Sequence, residues 1–224
     1  DNTSIILSNV RAYNVNEAGY APILVCIFGA GAVSALDDET SPHGIVESIT
    51  RAVDKKGNVA YKINLCGASN EYRSLFIPDD STVARKLFEN GKCVLNFGDI
   101  IIYTADNNQE MKDFRIDFVN SSRELKFSHN NRLYWINYYY GTAHAYEGKA
   151  LSVDAIAASS VNESASKFTF YCSKEYVWLV DSKTQKITAV SPETIITKQY
   201  DPINADKVFV KASYMDTKEI IIYR

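Results

Sequence analysis

Glycine and proline are scarce, at 10 and 5 of 224 residues, which excludes a collagen-like or low-complexity chain. An excess of either charge is also missing. Lys and Arg number 24 against 27 Asp and Glu, a net charge of −3, so the basic footprint of a nucleic-acid binder is absent. With 46% hydrophobic residues, so small a net charge excludes disorder. No run reaches the roughly 18 apolar residues a membrane-spanning helix needs. The longest candidate, Pro22 to Leu36, holds two glycines and reads as a buried strand and turn.

Residues of catalytic chemistry are thin on the ground. The three histidines, His43, His129 and His144, have no metal-ligand spacing, and the first two read as turn residues. There is no G-x-S-x-G elbow and no Walker sequence. Gly29-Ala30-Gly31 lacks the third glycine of a dinucleotide fingerprint and reads as a strand-to-turn transition. The carboxylates Asp37-Asp38-Glu39 and Asp79-Asp80 read as turn caps, with a calcium loop as the sharper alternative. Cys26, Cys66, Cys93 and Cys172 form no C-x-x-C pair; paired, they would allow three connectivities, but the apolar contexts of Cys26 and Cys93 suit buried free thiols. No metal site and no catalytic residue is assigned.

The compartment is left open, with extracellular or virion-like slightly ahead of cytoplasmic. The chain begins at Asp1, which reads as a processed or trimmed product. Asn2-Thr3-Ser4, Asn120-Ser121-Ser122 and Asn162-Glu163-Ser164 are glycosylation triplets and weak support for secretion.

What is abundant is short β-branched and aromatic runs between turn residues. They predict a mainly β chain, sandwich- or barrel-like, with one or two short helices. Asp54-Lys55-Lys56-Gly57-Asn58 and Asp181-Ser182-Lys183-Thr184 read as hairpin loops, and Asp106-Asn107-Asn108 as a strand end that opens a linker. Residues 81–90 predict a helix capped by Asp80 or Ser81 and closed by Gly91. The alanine-containing stretch 150–160 is a second helix candidate.

Two features recur. Asp99-Ile100-Ile101-Ile102-Tyr103 returns as Glu219-Ile220-Ile221-Ile222-Tyr223, and Cys66 followed by Glu71-Tyr72 returns as Cys172 followed by Glu175-Tyr176. A tandem duplication with β domains at 1–106 and 107–224 is one reading. Coincidence among Ile-rich strands is the other.

The most unusual stretch is Tyr134-Trp135-Ile136-Asn137-Tyr138-Tyr139-Tyr140. Tyrosine suits sites where the ring is buried and the hydroxyl is wet. Tyr134, Trp135, Tyr138, Tyr139 and Tyr140 are therefore the expected ligand or interface residues, for a protein partner, self-association or a carbohydrate. The expected function is that of a non-enzymatic structural or binding protein acting through this aromatic surface, such as an assembly subunit or secreted binding module.

The alternative is an enzyme. The stretch 58–97 places two strands before Asp79-Asp80-Ser81-Thr82, a helix and Gly91-Lys92-Cys93-Val94-Leu95-Asn96-Phe97. It resembles the core of FMN-binding split-barrel proteins. That resemblance covers under a fifth of the chain and implies an FMN cofactor, with Ser81, Thr82 and Arg85 holding its phosphate.

Overall fold

The computed structural model describes residues 9–13, 23–27, 36, 41–67, 72–126, 136–158, 164–213 and 216–224, with 9–13, 23–27, 72, 136 and 216 described by backbone alone. The chain is mainly β and divides into two compact units, Asp1–Ala35 and Leu36–Arg224. In the first, β1 (Asn9–Tyr13) and β2 (Ile23–Ile27) pair antiparallel.

Among the described residues the second unit holds two large sheets and a two-residue hairpin sheet. The first comprises β3 (His43–Val53), β4 (Val59–Gly67), β5 (Tyr72–Pro78), β8 (Ile100–Ala105), β9 (Met111–Val119) and β10 (Glu124–Leu125), in the order β10-β9-β8-β3-β4-β5. Between β5 and β8 lie the helix α1 (Thr82–Leu87) and the two-residue strands β6 (Phe88–Glu89) and β7 (Lys92–Cys93). The second sheet comprises β11 (Ile136–Glu147), β12 (Ala150–Ala157), β13 (Ser166–Tyr171), β14 (Val177–Asp181), β15 (Lys186–Val190), β16 (Lys207–Ser213) and β17 (Asp216–Tyr223). Its order is β13-β12-β11-β16-β17-β14-β15. Each sheet curls back on itself through one short parallel contact: Phe76 beside Glu110 in the first, Tyr171 beside Asp216 in the second. Five strands thus close each ring, β3-β4-β5-β9-β8 and β11-β12-β13-β17-β16.

The two rings share their register. Gly44 pairs with Gly67 and Ile101, and Gly141 pairs with Ala155 and Val208. A bulge follows two residues later in both, skipping Glu47 in β3 and His144 in β11. Val46 N–H donates to Asp99 O at 2.8 Å, and Ala143 N–H to Asp206 O at 2.9 Å. The β8–β9 and β16–β17 ladders shift again at Thr104/Ala105 and Lys211/Ala212. By this register Ile100–Tyr103 in β8 answers to Lys207–Val210 in β16. The Ile220–Ile222 run lies in β17 and answers to Phe114–Ile116. The isoleucine runs, expected to correspond, therefore occupy different strands. Position 106, expected as a boundary, falls in the β8–β9 turn, where Asp106 Oδ1 accepts from Asn108 N–H and Glu110 N–H at 2.9 Å each.

Helix is shorter than the sequence suggests. Ser81 caps α1 by accepting from Ala84 N–H at 3.0 Å, but Phe88 is already extended. Asn90 and Gly91, both at positive φ (51° and 75°), turn the β6–β7 hairpin instead of closing the helix. Within the second candidate helix, 150–160, residues Ala150–Ala157 are the strand β12, and the alternate burial of Leu151, Val153, Ala155 and Ala157 is the period-2 pattern that decides it. Lys92–Cys93 and Glu124–Leu125 are strands of only two residues, and Pro192–Thr194 is a 3-10 turn. Among the described residues no helix is long and apolar enough to cross a membrane.

Three cores result. Ile63, Leu65, Ile77, Ile101 and Phe114 fill the first ring, with Val83, Ala84 and Leu87 of α1 packed against them. Leu151, Val153, Phe170, Val208 and Ile222 fill the second. The third core lies between the rings and joins Ile45, Cys66, Ile100 and Phe118 to Trp178, Val180, Phe209, Ile221 and Tyr223. Each such fully buried side chain contributes about 1.5–3 kcal/mol, so this seam makes one body of two barrels.

Candidate functional site

The described tyrosines of the aromatic strand serve the interior. Tyr138 and Tyr140 pack into the seam, and Tyr140 lies 4.7 Å from the Phe118 ring. Tyr139 points the other way, as strand alternation requires, and is 7% exposed inside the second barrel beside Phe168 and Phe170. Tyr134 and Trp135 lie outside the described residues. Phe118 and Tyr223 hold the same place in the two ladders, opposite Ile100 and Lys207, and meet across the seam at 5.0 Å. Two side-chain donors tie the barrels further. Tyr223 Oη donates to Gly98 O at 3.0 Å, and Trp178 Nε1 to Gly67 O at 3.1 Å.

Beside the seam sits a buried ionisable cluster. His43, Asp117, Lys211 and Glu219 are 5%, 2%, 8% and 5% exposed. Lys211 Nζ donates to His43 Nδ1 at 2.8 Å, which leaves Nε2–H facing Asp117 Oδ2 at 3.0 Å, with the Tyr138 hydroxyl 3.2 Å away. Asp117 is the extra residue of a bulge between Ile100 and Ile101, and the bulge re-aims its carboxylate at the histidine. Burial would raise the Asp117 carboxyl, but hydrogen bonds from His43 and Arg115 outweigh it and hold it below its ordinary value. Burial pushes the Glu219 carboxyl up, against the opposing fields of His43 and Lys211, and neither oxygen has a hydrogen-bond partner. His43 is thus a buried strand residue and not the turn residue the sequence suggests. The Ser41-Pro42-His43-Gly44 context hides a strand that begins at the histidine itself. His144 is half-buried in β11, between Asp154 Oδ2 at 3.3 Å and Lys167 Nζ at 3.0 Å. His129 lies outside the described residues.

The flavin candidates stand together at the start of α1. The Ser81 hydroxyl is engaged as the helix cap, while Thr82 and Arg85 are exposed. Asp79 and Asp80 precede them, and Asp79 Oδ2 accepts from Arg51 Nη2 at 2.8 Å. Negative charge there disfavours a phosphate. Asp37, Asp38, Glu39 and Gly29 to Gly31 lie outside the described residues. Asn120 is buried and donates its amide to Phe97 O at 2.9 Å, so folding removes it as a glycan acceptor. Asn2 and Asn162 lie outside the described residues. Cys66, Cys93 and Cys172 are free thiols, with Cys93 only half-buried and its thiol pushed up by burial.

An opening lies on the first barrel. A cleft of about 390 Å³ runs along β3 and is closed opposite by the connection 88–97. Val46, Ile49, Tyr61, Phe88, Leu95 and Phe97 give it an apolar lining, with Ser48, Thr50, Cys93 and Asn96 as polar points. Arg51 is its sole charged lining residue. Tyr61 and Phe88 pack at 4.8 Å, and the Arg51 guanidinium lies 5.5 Å from the Tyr61 ring centre. The sequence marks Cys93 as a buried thiol and places Leu95, Asn96 and Phe97 in the split-barrel resemblance, but names none of the lining residues as a site residue. Their one visible signal is the length of the hairpin about Asp54 to Asn58, longer than a barrel wall needs. Compared with known proteins, the chain matches no family, no curated protein and no solved structure.

Proposed function

We propose that the chain is a non-enzymatic β-rich binding protein, one that holds a partner in the cleft of its first barrel. The observation that carries this reading is the cleft itself: an open, largely apolar cavity within the usual size range of ligand sites, with one cation at its edge. Three of the four buried ionisable groups fit the same view. His43, Asp117 and Lys211 satisfy one another inside the seam, as buried polar groups that fix a structure do. In this reading the aromatic strand is the internal interface of an assembly whose two barrels are copies of one module, a relation supported by their shared register.

The test uses an apolar fluorescent probe, anilinonaphthalene sulfonate, and alkylation of Cys93 followed by peptide mass mapping. Probe binding is expected to slow Cys93 alkylation several-fold, and Ile49→Lys to remove both effects while the circular dichroism stays unchanged. Binding that survives Ile49→Lys, or leaves Cys93 reactivity untouched, sinks the proposal.

A further inference from the structure

Among the described residues, one wall of the cleft is a strand edge that pairs with no other strand. β3 pairs with β8 only over His43–Ile45, and Val46 then exchanges hydrogen bonds with Asp99 and Gly98. Beyond that point, among the described residues, only β4 pairs with β3. The phase of the ladder is set at the turn, where Asp54 N–H donates to Asn58 O at 2.9 Å. Alternation along an antiparallel pair then directs Ser48, Thr50 and Ala52 at β4, and turns the N–H and C=O of Ile49, Arg51 and Val53 outward. Asp79 N–H donating to Val59 O, on the far side of β4, has the same phase. From Ile49 to Val53 the edge offers about 13 Å of main-chain donors and acceptors at 3.3 Å per residue. Ile49, Tyr61 and Phe88 lie along it, and Arg51 stands at the outer end with its side chain 64% exposed. Asp79 accepts from Nη2, and the guanidinium lies 5.5 Å from the Tyr61 ring centre.

We infer that the cleft takes an extended peptide segment, added as a strand to the free edge of β3, with alternate aliphatic side chains on Ile49 and Phe88 and an acidic residue at Arg51. Strand addition supplies affinity from main-chain hydrogen bonds and selectivity from the alternate side chains. Charge complementarity chooses the end group, because Arg51 is the lone charge of the lining. The inference rests on the binding reading above and deepens it.

The probe is a blocked peptide of alternating valine and threonine ending in glutamate, compared with the same peptide N-methylated at alternate amides. Added in excess to the full chain, the first is expected to slow hydrogen exchange at the Ile49 and Arg51 amides at least tenfold. The Ser48 and Thr50 amides, already paired to β4, stay unchanged. The N-methylated peptide is expected to bind at least tenfold more weakly, and Arg51→Glu to reverse the preference toward a lysine-ended peptide. Equal binding of both peptides overturns strand addition while leaving a ligand-binding cleft. The same result follows if neither peptide binds but the fluorescent probe still protects Cys93. Failure of peptides and probe alike overturns both readings. Concentration-dependent protection of Ile49 and Arg51 without peptide assigns the edge to a second copy and overturns the peptide.

Discussion

The two barrels are built on one register and differ in what is inserted into it. Between Thr50–Lys62 in the first and Glu147–Ala150 in the second, the chain spends residues 51–61 on an arm where the other spends only Gly148 and Lys149 on a turn. Between the third and fourth ring strands, the first barrel inserts α1 and the β6–β7 hairpin. The second inserts β14 and β15. The consequences diverge. The arm and the β6–β7 connection leave a cleft between them. Trp178, Val180 and Ile187 of β14 and β15 are spent on the seam. A shared frame fixes the cores, and the insertions decide which surface stays open.

The seam is the first place to break the comparison. Phe118 touches Tyr140, Phe209 and Tyr223 across it, whereas Phe170 packs wholly within the second barrel. Truncating either to alanine is expected to cost about 3–5 kcal/mol. The two should differ in form. Phe118→Ala separates the barrels and is expected to split urea unfolding into two transitions, and Phe170→Ala to shift a single one. Single transitions for both would show that neither barrel stands alone.

Gly44 and Gly141 occupy one place in the register and sharpen the comparison further. A Cβ on Gly141 would lie 2.0 Å from Asp154 O, a backbone atom. On Gly44 it would meet Leu65 Cδ1 at 3.0 Å and Leu65 Cβ at 3.1 Å, side-chain contacts that a shift of a few tenths of an ångström relieves. Gly141→Ala is therefore expected to cost about 3 kcal/mol or more and Gly44→Ala about 1 kcal/mol, by thermal melting.

The charged residues of the seam come from both barrels and titrate in opposite senses. Asp117 has a lowered carboxyl, so its contribution is present above the ordinary value near 4 and is lost as pH falls through the native value. Glu219 has a raised carboxyl, so its contribution is full below about 4.3 and is lost as pH rises through the native value. Glu219→Gln is thus expected to exceed the parent in stability at pH 8 and to lose that advantage by pH 4. Each pKa unit is worth about 1.4 kcal/mol. A gap that does not change with pH would mean that Glu219 ionises freely.

These contrasts mark what the sequence could disclose. Strand content was legible because β-branched and aromatic runs alternate with turn residues, and the Ser81 cap because serine at that position has a local role. The register was not. Ile100–Tyr103 and Ile220–Tyr223 look alike because fourth and fifth ring strands are both buried on two faces, and burial on both faces erases the alternation that would tell them apart. The buried role of His43 depends on Asp117 and Lys211, 74 and 168 residues away. The cleft depends on where pairing stops, and no local pattern encodes the end of a ladder.

The smallest expected effect separates the two serines that precede a helical turn, one in each barrel's connection. Ser81 accepts from Ala84 N–H, whereas Ser191, at the start of the 3-10 turn Pro192–Thr194, makes no side-chain capping bond. Ser81→Ala is expected to lower stability by about 1 kcal/mol and Ser191→Ala to leave it unchanged within error. The same pair discriminates the flavin reading. With Asp79 and Asp80 adjoining and its hydroxyl committed to the helix, Ser81 is a capping residue, so added FMN is expected to leave the melting temperature of parent and Ser81→Ala alike unmoved. A flavin-dependent rise in the parent that disappears in Ser81→Ala but persists in Ser191→Ala would reverse that assignment and make the first insertion a cofactor site.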